Sequence, residues 1–179
     1  IILKNNRPLH NAFIVDRLLK AGSVLTGKAN LHEWVFGPTS QSLHFGPVKN
    51  PWNLKCFAGG SSGGSGASVA AGMSVVSIGS DTAGSIRIPA AFNGLAGLRP
   101  TIGRISRSDS VAVSARFDSL GPLARRVSDV ARTFEVIAGH DPSDAYSIDR
   151  PVPPVMRRLN DPVKGMRIGV MKRWFFDDI

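Results

Sequence analysis

The sequence has 179 residues, of which 42% are hydrophobic and 20% charged, and this composition is typical of a folded globular chain rather than a disordered one. Lys and Arg outnumber Asp and Glu by 22 to 13, so the formal net charge is +9. The basic residues are scattered and are not interleaved with aromatic ones. The charge therefore does not favour nucleic-acid binding as the main activity.

Cysteine content and hydropathy restrict the kinds of site and the cellular location that the sequence allows. The single cysteine, Cys56, excludes an internal disulfide framework and a cysteine-rich zinc site. No apolar run reaches the ~18 residues that span a bilayer, and no signal-peptide pattern opens the chain. We therefore predict a cytoplasmic protein with no membrane contact, no metal and no cofactor.

The first third of the chain predicts a helix, a short strand and an irregular segment. Residues 11–21 combine an N-cap, Asn11, with an apolar face made of Ala12, Val15, Leu18 and Leu19. Residues 24–26 predict a strand. Residues 36–58 are rich in Gly, Pro, Ser and Asn, and predict an irregular excursion around a site.

The middle of the chain predicts alternating helices and strands. The small residues of 64–72 predict a helix packed tightly against a sheet, and the β-branched run 74–79 predicts a buried strand. A second helix is expected to begin near Ser85. This order predicts an α/β fold.

The last third predicts one more helix and then a connector. Ser128 is predicted to cap a helix that Gly139 ends, with its apolar face formed by Val130, Ala131, Phe134, Ile137 and Ala138. Residues 141–154 predict a connector, and residues 166–171 predict the beginning of a new strand.

Two serine-bearing glycine loops carry the chemistry. In the second, residues 80–85, small residues precede Ser85 at a strand-to-helix junction, so successive backbone N–H groups can converge on one point. An oxyanion hole requires this arrangement, and losing one of its donors costs about 3–4 kcal/mol. None of the four histidines lies in a motif that would place it at Ser85, and Ala83 breaks the GxSxG pattern. A Ser–His–Asp triad is therefore disfavoured.

The first loop, residues 59–66, has three interpretations. A flexible linker does not fit its structured apolar flanks, and a phosphate cradle would need the Gly-Lys-Ser/Thr ending of a P-loop. Alternatively, Ser61 and Ser62 supply hydroxyls beside a nucleophile.

The residues of both loops resemble the amidase signature family. The matching segments are 59–65, 81–90, 97–106, 26–30, 45–52 and 138–142, so the resemblance covers nearly the whole chain. It implies a mixed β-sheet covered by helices. Residues 1–179 would be the central or N-terminal portion of a single such domain, truncated at both ends, with residues 141–165 as a connector within it.

The resemblance also implies roles for the loop residues. Ser85 is the expected nucleophile, and Ser61, held by a cis peptide bond, is expected to relay a proton between Ser85 and a lysine. Ser62 is expected to support them, and Asp81 and Arg87, which flank the second loop, are expected to pair and brace it. The oxyanion hole is expected to use the N–H groups of Thr82, Ala83, Gly84 and Ser85.

The implied catalytic lysine has no good match in this sequence. Lys28 lies in a segment that the family carries later than its catalytic lysine, and Lys4 lies too close to Lys28. We therefore predict that Lys28 is structural, that Lys4 is a surface residue and that the catalytic lysine is not in this chain. The chain alone should be inactive.

The favoured prediction is an amidase that hydrolyses the C–N bond of a small carboxamide through a serine acyl-enzyme, and a homo-oligomer is one possible assembly. The alternative is the glutaminase subunit of a tRNA-dependent amidotransferase. Ile88 and Ala83 count against it, because that subunit typically carries Gln and Gly there. A remote alternative is a basic nucleic-acid or anion-binding module, which salt-dependent RNA binding unaffected by Ser85→Ala would favour.

Overall fold

The computed structural model describes residues 5–170. A three-stranded sheet forms the centre, and helices pack on it. The strands are β1 (Lys49–Asn50), β2 (Asn53–Phe57), β3 (Val76–Asp81), β4 (Ala96–Gly97) and β5 (Ser119–Ala124). The helices are α1 (Phe13–Lys20), α2 (Gly63–Ala70), α3 (Arg87–Asn93), α4 (Val127–Ile137) and α5 (Val155–Arg158), with a short 3-10 helix at Glu33–Val35.

The central sheet has the order β3-β5-β4. β5 pairs antiparallel with both neighbours, and its register against β3 runs from Val76 opposite Ala124 to Asp81 opposite Ser119. α2 and α3 pack together, and α4 covers β5. The predicted α/β fold is confirmed.

α1 is shorter than predicted and begins without a side-chain cap. Ala12 is the N-cap residue, whereas the side-chain amide of Asn11, the predicted cap, donates to Asp16 at 2.9 Å. Leu19, predicted for the apolar face, is 42% exposed, and the buried residue is Ile14. The other residues of the predicted face, Ala12, Val15 and Leu18, are half-buried and pack against the core cluster that includes α4 residues, so the predicted face is correct except at Leu19.

Two predictions in the first third are wrong. Residues 24–26 form no strand, and Val24 is 84% exposed. Residues 36–58 are not wholly irregular, because β1 and β2 form an antiparallel pair there. Pro51 and Trp52, which lie between these strands, are compatible with a hairpin turn as well as with an irregular segment. Composition alone therefore does not distinguish the hairpin from a loop.

The helix–strand–helix order around the two serine loops is confirmed, with shifted ends. α2 covers most of the predicted 64–72 helix, and β3 begins and ends two residues later than predicted. α3 begins at Arg87, so Ser85 lies in the turn before the helix rather than at its start.

β5 is a central strand that the sequence does not predict. It contains Gly121-Pro122, which is typical of a turn. Pro122 stands opposite Ile78, and its carbonyl accepts the Leu98 N–H at 3.0 Å just beyond the end of β4.

α4 supplies much of the hydrophobic core. Its first residue is Val127 with Arg126 as N-cap, not the predicted Ser128, but the predicted apolar face is buried. Ile14, Ile105, Phe134, Ile137 and Ala138 form one buried cluster. Truncating a buried aromatic residue such as Phe134 to alanine typically costs about 3–5 kcal/mol.

The end of the described chain differs from prediction. Residues 141–154 contain no helix or strand, and α5 lies within the longer connector predicted for 141–165. Residues 166–170 form no strand, and Met171, where the predicted strand continues, lies outside the described residues. Lys4 also lies outside them. None of the helices formed by residues 5–170 is long and apolar enough to cross a membrane.

Candidate active site

The first serine loop is buried and is held by backbone groups. The Gly60–Ser61 peptide bond is cis, as the resemblance implied. The Ser61 carbonyl accepts hydrogen bonds from the His32 N–H at 2.9 Å and from the Ser40 hydroxyl at 3.0 Å. The Ser61 side chain is fully buried, and its hydroxyl has no hydrogen-bond partner within residues 5–170.

Ser62 joins this loop to the sheet and to the second loop. Its hydroxyl bonds both the carbonyl of Ser80 at 3.2 Å and the N–H of Ser80 at 3.1 Å. Its own N–H donates to the Ser85 carbonyl at 3.2 Å. The predicted supporting residue Ser62 therefore fixes the distance between the two loops.

Close packing explains why the first loop is made of such small residues. The Gly64 N–H donates to the Asn30 carbonyl at 2.9 Å. A Cβ at Gly64 would clash with that carbonyl oxygen, so only glycine fits.

Asp81 organises the second loop from a fully buried position at the end of β3. One carboxylate oxygen accepts the Gly84 N–H at 2.7 Å, and the other accepts the Ile86 N–H at 3.2 Å. The Arg87 guanidinium makes two further bonds to the same carboxylate, each at 3.0 Å. The predicted pairing of Asp81 with Arg87 is thus present.

The charge of Asp81 is stabilised despite its burial. Burial alone would raise the pKa of Asp81, but hydrogen bonds from Arg87 and from the Ile86 and Gly84 N–H groups hold that pKa below its usual value of 3.8. The same pair raises the pKa of Arg87. Arg99 lies 3.4 Å from Asp81 and adds a second positive charge.

The four N–H groups predicted for the oxyanion hole are not equivalent. The Gly84 N–H is engaged by Asp81, whereas the N–H groups of Thr82, Ala83 and Ser85 make no hydrogen bond within residues 5–170. Gly84 has φ +131°, a backbone conformation that favours glycine. Ala83 is exposed and Ser85 is half-buried, so solvent reaches this part of the loop.

The rings of His10, His32 and His44 contact groups other than the two key serines, although the His32 backbone N–H binds the Ser61 carbonyl. Lys28 is exposed. The side chain of His32 accepts a hydrogen bond from the Gln41 N–H at 3.3 Å, and His44 lies 3.6 Å from Glu33. His10 bonds Asp109 at 2.9 Å. None of the hydrogen bonds described for residues 5–170 joins a histidine ring to Ser61 or Ser85.

Three polar residues at the site were missed by sequence reasoning. Asp118 accepts a hydrogen bond from the Thr82 hydroxyl at 2.5 Å, and the Ser40 hydroxyl supports Ser61. Arg107 donates to the Asp118 carbonyl at 3.3 Å. Each lies in a loop where no local motif marks it, so only the tertiary arrangement reveals the contact.

A cleft of about 220 Å³ lies beside the two loops. Its wall includes Ser62, Thr82, Arg107, Val111 and Asp118, but neither Ser61 nor Ser85. Within the described residues, no group of three or more His, Cys, Asp or Glu side chains is arranged to hold a metal ion.

A second buried carboxylate ties the segment after β4 to the residues after α4. Asp141 accepts hydrogen bonds from the hydroxyls of Ser106 at 2.5 Å and Ser108 at 2.6 Å, and from the Ser143 N–H at 2.9 Å. Burial alone would raise the pKa of Asp141, but these donors hold it below the usual value.

The family model described as Amidase matches residues 1–179, so the chain belongs to the amidase family. Its curated relatives include two glutamyl-tRNA(Gln) amidotransferase A subunits. That of Carboxydothermus hydrogenoformans is 50% identical over 99% of this chain and 37% of the relative. That of Pseudomonas syringae pv. syringae is 48% identical over 98% of this chain and 36% of the relative. The chain thus spans a little over a third of the length of these relatives.

Solved structures confirm the fold. The glutamyl-tRNA(Gln) amidotransferase A subunit from Thermotoga maritima matches with a TM-score of 0.81 and 43% identity, over 84% of this chain and 33% of that one. A 6-aminohexanoate cyclic dimer hydrolase complexed with substrate matches with a TM-score of 0.82 and 41% identity, over 87% and 33%. An inhibitor-bound vestigial protein complex, described as revealing the origins of an s-triazine catabolic enzyme, matches with a TM-score of 0.90 and 41% identity. The match covers 97% of this chain and 39% of that one.

Proposed function

We propose that the protein is a serine-dependent amidase in which Ser85 is the nucleophile and Ser61 relays its proton. One observation carries the proposal most directly. The buried Ser61 hydroxyl lacks a partner within residues 5–170, while its neighbour Ser62 is bonded to the Ser85 backbone. Buried hydroxyls are almost always hydrogen-bonded, so a buried, unpartnered hydroxyl in a loop that is bonded to the half-buried Ser85 suits a proton relay.

The relay needs a base beyond Ser61. We propose a lysine outside this chain, because Lys28 is exposed to solvent whereas the Ser61 side chain is fully buried. A lysine can accept the proton only where burial or neighbouring charges keep it neutral.

The reaction then has two stages, acylation of Ser85 and hydrolysis of the resulting ester. Ser85 Oγ attacks the amide carbon while its proton passes to Ser61, whose own proton passes to the base. The C–N bond breaks, and the amine leaves with a proton returned along the same relay. Water then hydrolyses the Ser85 ester, which releases the acid and restores the serine.

The developing oxyanion needs fixed donors. We propose the N–H groups of Thr82, Ala83 and Ser85 for this role, since the Gly84 N–H is already bonded to Asp81. Gly84 and Asp81 would then shape the loop, with Arg87 holding the carboxylate in place. The substrate class that this chemistry serves is a small carboxamide.

A second candidate is the glutaminase subunit of a tRNA-dependent amidotransferase. The 50% identity to the Carboxydothermus hydrogenoformans protein favours it. Ile88 and Ala83 remain the two departures against it. Ammonia release from glutamine, compared with release from simple aliphatic amides by the same full-length protein, separates the candidates: a strong preference for glutamine supports the glutaminase.

Labelling with a fluorophosphonate tests the nucleophile. Ser85 Oγ should displace fluoride from phosphorus in the full-length protein, and Ser85→Ala should abolish both labelling and amide hydrolysis. Ser23→Ala is a matched control, because Ser23 is an exposed serine. Undiminished labelling of the Ser85→Ala protein would show that the nucleophile lies elsewhere. The 179-residue chain assayed alone should hydrolyse no amide, and turnover by it would refute the external lysine.

A further inference from the structure

The Thr82 side chain is held by a buried carboxylate from the neighbouring strand. Thr82 follows β3 directly, and Asp118 precedes β5 directly. Because Asp81 stands opposite Ser119, the register brings Thr82 opposite Asp118. Their side chains meet there, and the Thr82 hydroxyl donates to Asp118 Oδ1 at 2.5 Å.

Asp118 is itself rigidly held. It is only 8% exposed, and its other carboxylate oxygen accepts the N–H groups of Val113 at 2.7 Å and Ser114 at 2.9 Å. Its carbonyl accepts a bond from Arg107 at 3.3 Å. The Arg107 side chain is 9% exposed and stacks over the Tyr146 ring at 4.6 Å. Asp118 therefore cannot turn away from Thr82 without breaking several contacts.

Strand geometry relates this contact to the Thr82 backbone. The N–H and carbonyl of Ser80 bond to the Ser62 hydroxyl rather than to β5. Backbone groups two residues apart on an extended strand point to the same side, so the Thr82 N–H faces the first serine loop. The hydrogen bond to Asp118 fixes the side chain of Thr82, the same residue whose N–H faces the first serine loop.

Two carboxylates thus bracket the nucleophile loop. Asp81 holds its far end through Gly84 and Ile86, and Asp118 holds its beginning through Thr82. The N–H groups between these anchors are the ones left without a partner within residues 5–170.

We propose that Asp118 is a positioning residue that fixes the Thr82 N–H as an oxyanion donor. It acts through Thr82 and does not touch the substrate. The inference rests on the proposed serine chemistry at Ser85 and assigns the orientation of one donor to a buried carboxylate beside β5. A donor of this kind stabilises charge only if its direction is set before the reaction begins.

The rate of fluorophosphonate labelling in the full-length protein tests this role, because the attack on phosphorus also develops a negative oxygen. Thr82→Val removes the hydroxyl and keeps the shape of the side chain. We expect Thr82→Val to slow labelling about tenfold to a hundredfold. The separate variant Thr82→Ser keeps the hydroxyl and should label at close to the wild-type rate. Asp118→Asn should slow labelling to a similar degree, because one amide oxygen cannot replace both carboxylate oxygens.

Further readouts separate positioning from a general loss of structure. The double variant Thr82→Val/Asp118→Asn should be no slower than the slower single variant. The pH dependence of labelling should not change, since the base is untouched. Thr101→Val is the control: Thr101 is an exposed threonine that does not line the cleft beside the two loops, and the variant should label at the wild-type rate.

Each outcome decides the inference. A folded Thr82→Val protein that labels at the wild-type rate overturns it and leaves Ser85 as nucleophile. Additive slowing in the double variant also overturns it, because the two residues then act independently. A wild-type protein that is not labelled at Ser85 overturns the proposed function itself.

Discussion

The two serine loops lie side by side, yet they are stabilised in opposite ways. The first is buried and held by neutral groups, with the Ser61 carbonyl bonded to His32 and Ser40. The second is partly exposed and anchored by the charged carboxylates of Asp81 and Asp118. The proposed relay hydroxyl of Ser61 is buried, whereas a nucleophile must be reachable by its substrate, and an exposed loop needs stronger anchors to hold its N–H groups in place.

The largest expected effect tests the buried loop. Ser61→Ala in the full-length protein should slow Ser85 labelling and amide hydrolysis by about 10²–10⁴-fold, because it removes the proposed proton relay. The loss should appear in kcat rather than in KM, since no substrate contact is removed. Ser42→Ala, another serine of low exposure, is the control. Wild-type kcat in Ser61→Ala would mean that the two loops do not share a proton path.

The exposed loop is tested next through its charged anchor. Asp81→Asn should lower the free energy of unfolding by about 2 kcal/mol, since an amide cannot satisfy Gly84, Ile86 and Arg87 together. Arg87 is 57% exposed and can turn to water, which limits the loss. Urea denaturation measures the change. Asp109→Asn, at an exposed aspartate paired with His10, should change stability by less than about 0.5 kcal/mol.

A smaller effect tests the neutral anchor of the buried loop. The Ser40 hydroxyl donates to the Ser61 carbonyl and accepts the Gly63 N–H at 2.9 Å. Ser40→Ala leaves that buried N–H without a partner and should cost about 1–2 kcal/mol in the same urea experiment. Ser110→Ala removes an exposed hydroxyl and serves as its control. Equal stability of both variants would contradict a structural role for Ser40.

The smallest effect is a dependence of stability on acid. The pKa values of Asp81 and Asp141 are lowered in the folded protein, so the stability they confer is complete above the usual carboxyl pKa. It should be lost as the pH falls from about 5 through their folded pKa values. Asp141→Asn should flatten the decline measured by urea denaturation between about pH 5 and 3. A steeper decline in Asp141→Asn would contradict the sign of the shift.

Particular elements show where prediction from sequence succeeds and where it fails. α2 and β3 are predicted because local composition determines them: small residues that pack closely, then a β-branched run. β5 is not predicted because Gly121-Pro122 is typical of a turn, and only pairing with β3 on one side and β4 on the other makes it a strand. Residues 24–26 have strand composition but lie where no partner strand reaches them within the described part of the chain.

The sequence by itself determined the family and the two loops, because glycines and serines in a fixed order are required by close backbone packing that larger residues do not permit. The tertiary structure decided how the loops are held. Asp118 and Ser40 are far in sequence from the groups they bind, and a single Asp or Ser in a loop carries no local signal. The structure also decided the contact of Gly84, whose N–H was expected to face the reacting carbonyl but is bonded to Asp81, three residues before it, since a buried carboxylate attracts the nearest free donors.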